Sequence, residues 1–369
     1  MERQKLFQEI SPFYIKQMKK IWIIFVCFGS IGSSFGQDVH FSQTAQTPLL
    51  INPAAAGVFD GWERIIINHR NQWLGASTQF MTTNIAADVN FGKSKRNDKA
   101  HLGLGVQFYN DIGGDAKFGT QYGSLTLSGI LPMADGHILS AGIQGGFGNR
   151  KGDISRLSFM SQWNGTQFDQ TILSGEANAL NTFTYADVSG GLYYVFDGGQ
   201  KSFKRDADFK LQLGVSGYHL NQPKMKYITV DGDRMYRKFA FHAGFLKEFV
   251  GSKWSINASA LQFIQGPHLE TILGGMLQHR FQDGTKITGN SQDAFFGFGA
   301  YFRVKDAVVP SVMVEYKGFK FGLSYDITIS KLARAYKGGS LEFSLSFTNY
   351  DHSLFKGRRG RSARMRYKG

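Results

Sequence analysis

The feature that most constrains the fold is an alternation of apolar and polar residues, which recurs in runs of about ten residues after residue 60. In one run the apolar positions are Leu102, Leu104, Val106 and Phe108, and the residues between them are glycine or glutamine. In another they are Leu341, Phe343, Leu345 and Phe347, separated by glutamate or serine. A period of two residues indicates β-strands with one apolar face and one polar face.

Fourteen such runs follow one another, an even number that is typical of barrels whose two chain ends lie in the periplasm. They span approximately 63–72, 82–91, 102–110, 121–131, 138–150, 185–196, 209–220, 239–249, 254–265, 269–281, 294–304, 309–317, 319–330 and 340–348. The 45 glycines argue against a helical protein, since glycine destabilises a helix interior by about 1 kcal/mol. We therefore predict an all-β protein in which residues 61–349 form a closed antiparallel barrel of 14 strands.

A soluble β-sandwich has the same period, and three further features favour a membrane barrel over it. The runs are long enough to cross a bilayer at a tilt, which takes roughly 9–11 residues. Their polar face is rich in glycine, serine, asparagine and glutamine, as a wet lumen would be. Aromatic residues cluster at one set of run ends, as in an interfacial girdle: Trp62, Phe91, Phe196, Phe249, Trp254, Phe281, Tyr316, Phe319 and Phe347. The sequence therefore predicts a barrel surrounded by outer-membrane lipid.

The regions before and after the barrel have separate roles. Residues 1–36 are typical of a signal peptide, with lysines, a short apolar run at 21–28 and small residues up to Gly36, and Met18 is an alternative start. Residues 37–60 carry Asn52-Pro53-Ala54, which we interpret as a turn into a short periplasmic plug, because a residue before proline avoids the helical region. The basic tail, 350–369, is expected in the periplasm, either as a solvated end or as a site that attracts an acidic partner.

The sequence offers no clear catalytic, cofactor or metal site. The nine histidines form no HExxH motif, and no GxSxG elbow is present. Asn110–Asp115 and 231–233 contain aspartates and glycines but lack the spacing of a calcium loop, so they are interpreted as turns. Much of the net charge of +14 lies in the tail, where seven Lys/Arg face one Asp, and this distribution does not indicate a nucleic-acid partner.

Three short motifs together carry a family resemblance: Asn52-Pro53-Ala54, Asn71-Gln72-Trp73 and Leu323-Ser324-Tyr325-Asp326. They lie in residues 38–73 and 299–332, which resemble the PorP/SprF family of outer-membrane proteins linked to type IX secretion in the Bacteroidota. The resemblance implies a barrel related to fatty-acid channels and no enzymatic activity. It also implies work with other type IX secretion components to secrete and retain a large adhesin through the adhesin's C-terminal domain, in some members for gliding motility. The Arg-rich tail departs from the usual family ending.

The residues alone leave other functions open. A channel for hydrophobic small molecules, such as fatty acids, requires an apolar path, whereas the predicted inward face is mostly polar. A passive porin requires an open lumen, which leaves residues 37–60 without a role.

Two groups of residues are candidates for function. Arg70 and Asp326 both fall on the polar phase of their strands, so we expect them in the lumen, either as a structural ion pair or as client-binding groups. Aromatic residues in the two longest connections are candidate contacts for a partner protein, because interfaces favour Trp and Tyr. These residues are Phe159, Trp163, Phe168, Tyr227 and Tyr236.

Overall fold

The computed structural model describes residues 38–72, 80–93, 99–133, 136–153, 156–175, 182–198, 209–225, 234–249, 251–283, 293–330 and 339–350. Fourteen strands are present in this part of the chain. They are β1 (Glu63–Gln72), β2 (Phe80–Phe91), β3 (His101–Gly113), β4 (Phe118–Pro132), β5 (His137–Lys151), β6 (Phe183–Asp197), β7 (Phe209–Tyr218), β8 (Lys238–Glu248), β9 (Trp254–Gln265), β10 (His268–Gln282), β11 (Ala294–Arg303), β12 (Ala307–Tyr316), β13 (Phe319–Thr328) and β14 (Ser340–Asn349).

The strands form one closed antiparallel barrel, as the sequence predicted. Each strand pairs with its neighbours in the chain, and β1 pairs with β14 to complete the ring, with Glu63 opposite Asn349. Every predicted run corresponds to a strand, and no strand end differs from the prediction by more than three residues. The signal peptide and all but the first residue of the tail lie outside the described residues.

Side-chain alternation gives the barrel an apolar outside and a polar inside. In β3, Leu102, Leu104 and Val106 are exposed on the outer surface. The next residue, Gln107, has the opposite phase and is buried on the inner face. Asn68, Asn84 and Gln107 form a chain of side-chain hydrogen bonds across the inner wall of β1, β2 and β3. Such a barrel satisfies every backbone group within the wall, which is the condition for crossing lipid.

The barrel has two distinct rims, which we name by their connections. The turn end holds Glu63, Asn349 and the connections that follow the even-numbered strands. The loop end holds the connections after the odd-numbered strands, including the two longest, 152–182 and 219–237. Outer-membrane barrels have short periplasmic turns and longer outer loops, so the turn end is expected in the periplasm.

The predicted aromatic girdle lies at the turn end, with one correction. Phe249, Trp254, Phe281 and Phe319 are exposed there at strand ends. Trp62 is only 8% exposed, so the prediction that it anchors β1 in the lipid interface is wrong. The reason is its parity, since Trp62 has the same phase as Arg64 and Ile66, whose side chains are turned inward.

The only regular helices in the described residues are short. A single α-helical turn, α1 (Pro48–Ile51), is flanked by 3₁₀ turns at Thr44–Gln46 and Pro53–Ala55, and another 3₁₀ turn occupies Met160–Gln162. Across the described ranges, no helix combines the length and the apolar composition that spanning a membrane requires.

Candidate functional site in the lumen and at the loop end

Residues 38–60, which we call the inner segment, run lengthwise through the lumen. At the loop end, the Asp38 carboxylate lies 3.6 Å from Lys238 Nζ and 3.2 Å from His219 Nε2. At the turn end, Asp60 lies 2.6 Å from Lys210 Nζ, at the start of β7. The plug was expected inside or across the periplasmic mouth, and the segment extends from the turn end to the opposite rim.

The predicted Asn52-Pro53-Ala54 turn sits in the middle of the lumen against the wall. The Asn52 side chain accepts a hydrogen bond from Ala54 N at 2.9 Å and donates one to Leu192 O at 2.9 Å. Gly142 in β5 makes room for the turn, because a Cβ at this position would lie 2.6 Å from Pro53 C and Ala54 N. The asparagine thus caps the turn and fixes it to β6, a role that a residue before proline suits well.

Nearer the turn end, the wall binds the backbone of the segment. The Ser128 hydroxyl donates to Ala56 O at 2.6 Å. Gly57 N donates to the Asp88 carboxylate at 2.9 Å, and Arg64 holds the same carboxylate through Nε and Nη2 at 2.9 and 2.7 Å. The bidentate arginine fixes the orientation of the carboxylate toward Gly57 N.

The inward residues Arg70, Arg303, Asp326 and Glu342 form a buried cluster near the loop end, which we call the ion cluster. Arg70 Nη2 lies 3.1 Å from Asp326 Oδ2 and Arg70 Nε 3.4 Å from Glu342 Oε1, while Arg303 Nη2 lies 2.6 Å from Asp326 Oδ2. The structure thus brings together Arg70 and Asp326, and adds two partners that the sequence analysis did not identify. Glu342 could have been identified from the pairing of β1 with β14, because it stands directly opposite Arg70.

The ion cluster binds the inner segment and does not face open space in the lumen. Glu342 accepts hydrogen bonds from Ser42 N at 3.0 and 2.9 Å, and Arg70 donates to His40 O at 3.2 Å. Arg303 donates to the Ser42 hydroxyl at 3.2 Å. Arg70, Arg303 and Glu342 thus bind the inner segment at His40 and Ser42, an arrangement that favours a structural role for Arg70 and Asp326.

His219 forms a second attachment at the loop end. Its Nδ1 lies 3.0 Å from Asp187 and its Nε2 3.2 Å from Asp38. Burial lowers the pKa of His219, but hydrogen bonds to Asp187 and Asp38 outweigh burial and raise the pKa to about 9. Burial likewise raises the pKa of Asp38, yet Lys238 and His219 hold that pKa well below its ordinary value. The imidazolium therefore joins the segment to β6 as a charged bridge.

The two family motifs of the barrel meet on β14. Leu341 pairs with Asn71 on one side and with Tyr325 on the other, and Ser340 likewise joins Gln72 to Asp326. The inward Ser324 accepts a hydrogen bond from Gln43 Nε2 at 3.0 Å, whereas Tyr325 is exposed on the outer wall. Trp73 lies outside the described residues.

The loop end also carries an ordered hairpin, residues 159–174. Trp163 and Phe168 form a bridge with their rings 5.1 Å apart, and the Asn164 side chain accepts hydrogen bonds from Thr166 N and Gln167 N in the turn between them. The Gln162 side chain closes the base by accepting from Phe159 N at 3.0 Å and donating to Ile172 O at 3.0 Å. The hairpin thus has a defined shape of its own.

The hairpin exposes apolar side chains that the sequence analysis partly missed. Met160 is 81% and Leu173 86% exposed, beside Trp163 and Phe168, which are each nearly half exposed. Phe159 is partly buried. Of the other two candidates, Tyr236 lies over Gly266 in the β9–β10 turn and is exposed, and Tyr227 lies outside the described residues.

The described residues contain no group of three or more His, Cys, Asp or Glu side chains that could hold a metal ion. A cavity of about 30 Å³ remains beside Gln43 and Tyr301, between the inner segment and the wall. That volume is enough for roughly two or three water molecules, at about 10–15 Å³ each.

Known structures similar to this chain are bacterial membrane barrels. The CymD monoaromatic hydrocarbon channel has a TM-score of 0.45 and 9% identity, over 88% of this chain and 96% of that one. A TodX monoaromatic hydrocarbon channel mutant has a TM-score of 0.43 and 8% identity, over 83% and 94%. BamA from Haemophilus ducreyi, lacking POTRA domains 1–3, has a TM-score of 0.41 and 8% identity, over 78% and 70%. These similarities carry no argument about function.

Sequence comparison identifies a family for this chain but no individual relative. No curated protein matches the sequence. The family model described as "Type IX secretion system membrane protein PorP/SprF" matches residues 33–347, which include the inner segment and all but the last residues of the barrel. The chain therefore belongs to the PorP/SprF family and is an outer-membrane β-barrel of the type IX secretion system.

Proposed function

We propose that this barrel helps to secrete a large adhesin and retains it at the cell surface by binding the adhesin's C-terminal domain, without catalysis. The observation that carries the proposal is the ordered hairpin at the loop end, together with membership of a secretion family. Met160, Trp163, Phe168 and Leu173 supply exposed apolar surface on a fixed backbone. A rigid patch rich in aromatic and apolar groups is typical of protein interfaces.

The hydrogen bonds of the hairpin support binding rather than flexible capping. A loop that only covers a pore needs no defined shape, but a loop that must bind a partner loses less conformational entropy if it is ordered beforehand. Gln162, Asn164 and Asp169 each use their side chains to fix the hairpin backbone. The aromatic pair therefore remains positioned when no partner is bound.

The lumen does not favour the alternative function, transport of hydrophobic small molecules. Its wall contacts include many hydrogen bonds and ion pairs from Asn, Ser, Arg and carboxylate side chains. The apolar wall residues between them are already covered by the inner segment, as Ile130 and Tyr193 are by Ala54 and Ala55. The inner segment lies along the path from one rim to the other. An apolar solute that took the place of the segment would leave Asp88, Ser128 and Glu342 without their present partners, at a free-energy cost for each.

The experiment is a charge insertion in the hairpin in cells that secrete the adhesin. Met160→Glu combined with Leu173→Glu should release adhesins with type IX C-terminal domains into the medium, because charges disrupt an apolar interface. The matched control is Thr166→Glu with Gln170→Glu, which adds the same charge at exposed polar positions of the same hairpin.

Surface proteomics and medium proteomics measure retention, and heat-modifiability on a gel verifies that each barrel is folded. Release in the apolar variant alone supports the proposal. Normal adhesin display in a folded apolar variant, or equal loss in both variants, overturns the role of this surface. Loss of uptake of a hydrophobic nutrient with display intact would instead support the transport function.

A further inference from the structure

A shallow apolar groove crosses the outer wall of the barrel from β5 to β10. Its volume is about 490 Å³, within the range of small-molecule sites. The lining side chains on the outer face form two adjacent rows that follow the cross-strand pairing. The first row is Leu139, Tyr194, Leu213, Ala243, Ala260 and Leu273. The second is Leu192, Val215, Phe241, Gln262 and Thr271.

Two small residues create the depression. Ala243 and Ala260 are direct cross-strand partners in β8 and β9, and each is flanked in its row by a leucine, Leu213 on one side and Leu273 on the other. Both leucines are well exposed, at 43% and 45%. The leucines therefore form the walls and the alanines form the floor.

Two polar side chains lie in the same outer face, where lipid surrounds the barrel. The Thr271 hydroxyl donates to Gln262 Oε1 at 2.6 Å, and Gln262 Nε2 donates to Glu270 O at 2.9 Å and Phe263 O at 3.1 Å. These groups satisfy one another and the local backbone. Polar residues in a membrane face usually require a partner, and here each already has one within the wall. An occupant of the groove therefore needs to supply no hydrogen bond.

The strands under the groove offer no backbone pairing to an occupant either. β6, β7, β8, β9 and β10 form continuous ladders with their neighbours. A peptide that binds by strand addition needs an exposed sheet edge, which this part of the wall lacks. An alkyl chain needs only apolar contact, and the groove is continuous with the membrane-facing band.

We propose that the groove is a binding site for the acyl chain of an outer-membrane lipid. The acyl chain lies over Ala243 and Ala260 between Leu213 and Leu273, so one lipid is held at a defined place on the barrel. The site lies on the lipid-facing side of the wall, away from the hairpin at the loop end, and it adds to the proposed secretion function.

The test is photo-labelling of the purified, folded full-length protein in phosphatidylcholine vesicles that contain an analogue with a diazirine in its acyl chain. Labelled peptides are mapped by mass spectrometry. Labelling per exposed apolar area should be highest on β7–β10 and lower on the flat leucine face of β3 and β4, where Leu104 pairs with Leu127.

Filling the groove provides the second measurement. Ala243→Leu with Ala260→Leu should remove the enrichment, leaving β7–β10 labelled no more than the leucine face. Ala258→Leu is the matched control, since Ala258 is another alanine on the outer face of β9 and does not line the groove. Uniform labelling of the wild-type barrel overturns the proposal without any variant. Enrichment that persists in the filled variant, or one competed away by a free fatty acid but not by phospholipid, also overturns it.

Discussion

Removing Arg70 should destabilise the barrel, and the structure sets the size of the effect. Arg70 is only 3% exposed and contacts Asp326, Glu342 and His40 O. Breaking one side of a buried ion pair costs about 3–5 kcal/mol, because the remaining charge is left uncompensated. Asp326 retains Arg303, and Glu342 retains its backbone donor at Ser42. We therefore expect Arg70→Ala to lower the free energy of unfolding by about 3 kcal/mol, the lower limit of that range.

The assay is urea unfolding in lipid vesicles, followed by tryptophan fluorescence and by heat-modifiability on a gel. Arg156→Ala is the control, because Arg156 pairs with Asp153 and both are about half exposed. Exposed pairs contribute about 0–1 kcal/mol. The double variant Arg70→Met with Glu342→Met should regain part of the lost stability. It leaves no unpaired charge beside the Arg303–Asp326 pair, although Ser42 N loses its acceptor.

Equal stability of Arg70→Ala and Arg156→Ala would refute a structural ion cluster. If Arg70→Ala also abolished adhesin display while the barrel stayed folded, the arginine would instead be a client-binding group.

Three further predictions concern the inner segment. Because the pKa of His219 is raised to about 9 from an ordinary value of 6.5, its stabilising charge is complete below about pH 6.5 and is lost as pH rises through about 9. Unfolding midpoints measured across that window should fall for the wild type and change less for His219→Gln. Gly142→Val should cost about 1–3 kcal/mol in urea unfolding, because its side chain would collide with Pro53 and Ala54; stability like the wild type would show that the turn is not seated there. Deleting 40–58 should raise single-channel conductance in a planar bilayer, and unchanged conductance would argue against a plug.

The barrel could be predicted from the sequence because the alternation of residues along one strand shows which of them face inward and which face outward. A residue pattern with period two gives the length and phase of each strand without knowledge of its partners. Arg70 and Asp326 could be assigned to the inner face in the same way. Even the pairing of Arg70 with Glu342 follows once the ring is assumed to close through β1 and β14.

The course of the inner segment could not be predicted, because it depends on contacts between residues far apart in sequence. Asp38 on the segment contacts Lys238 on β8, and Ser42 contacts Glu342 on β14. No periodic pattern records such contacts. Trp62 differs from the prediction because the parity of its position turns it inward, although aromatic residues at strand ends usually face the interface. Met160 and Leu173 were missed because exposure in a loop depends on the folding of the loop itself.

The lengthwise course of the inner segment has a consequence for how the barrel is assembled. The segment precedes β1 in the chain and lies within a ring that closes between β1 and β14. To enter a finished ring, it would have to pass end-on through a rim and past the ion cluster. Arg70 and Glu342 face each other across that seam, and both hold the segment, at His40 and Ser42. Pairing of β1 with β14 and binding of the inner segment are therefore expected to be one cooperative event. The sheet would close around the inner segment as its two edge strands pair.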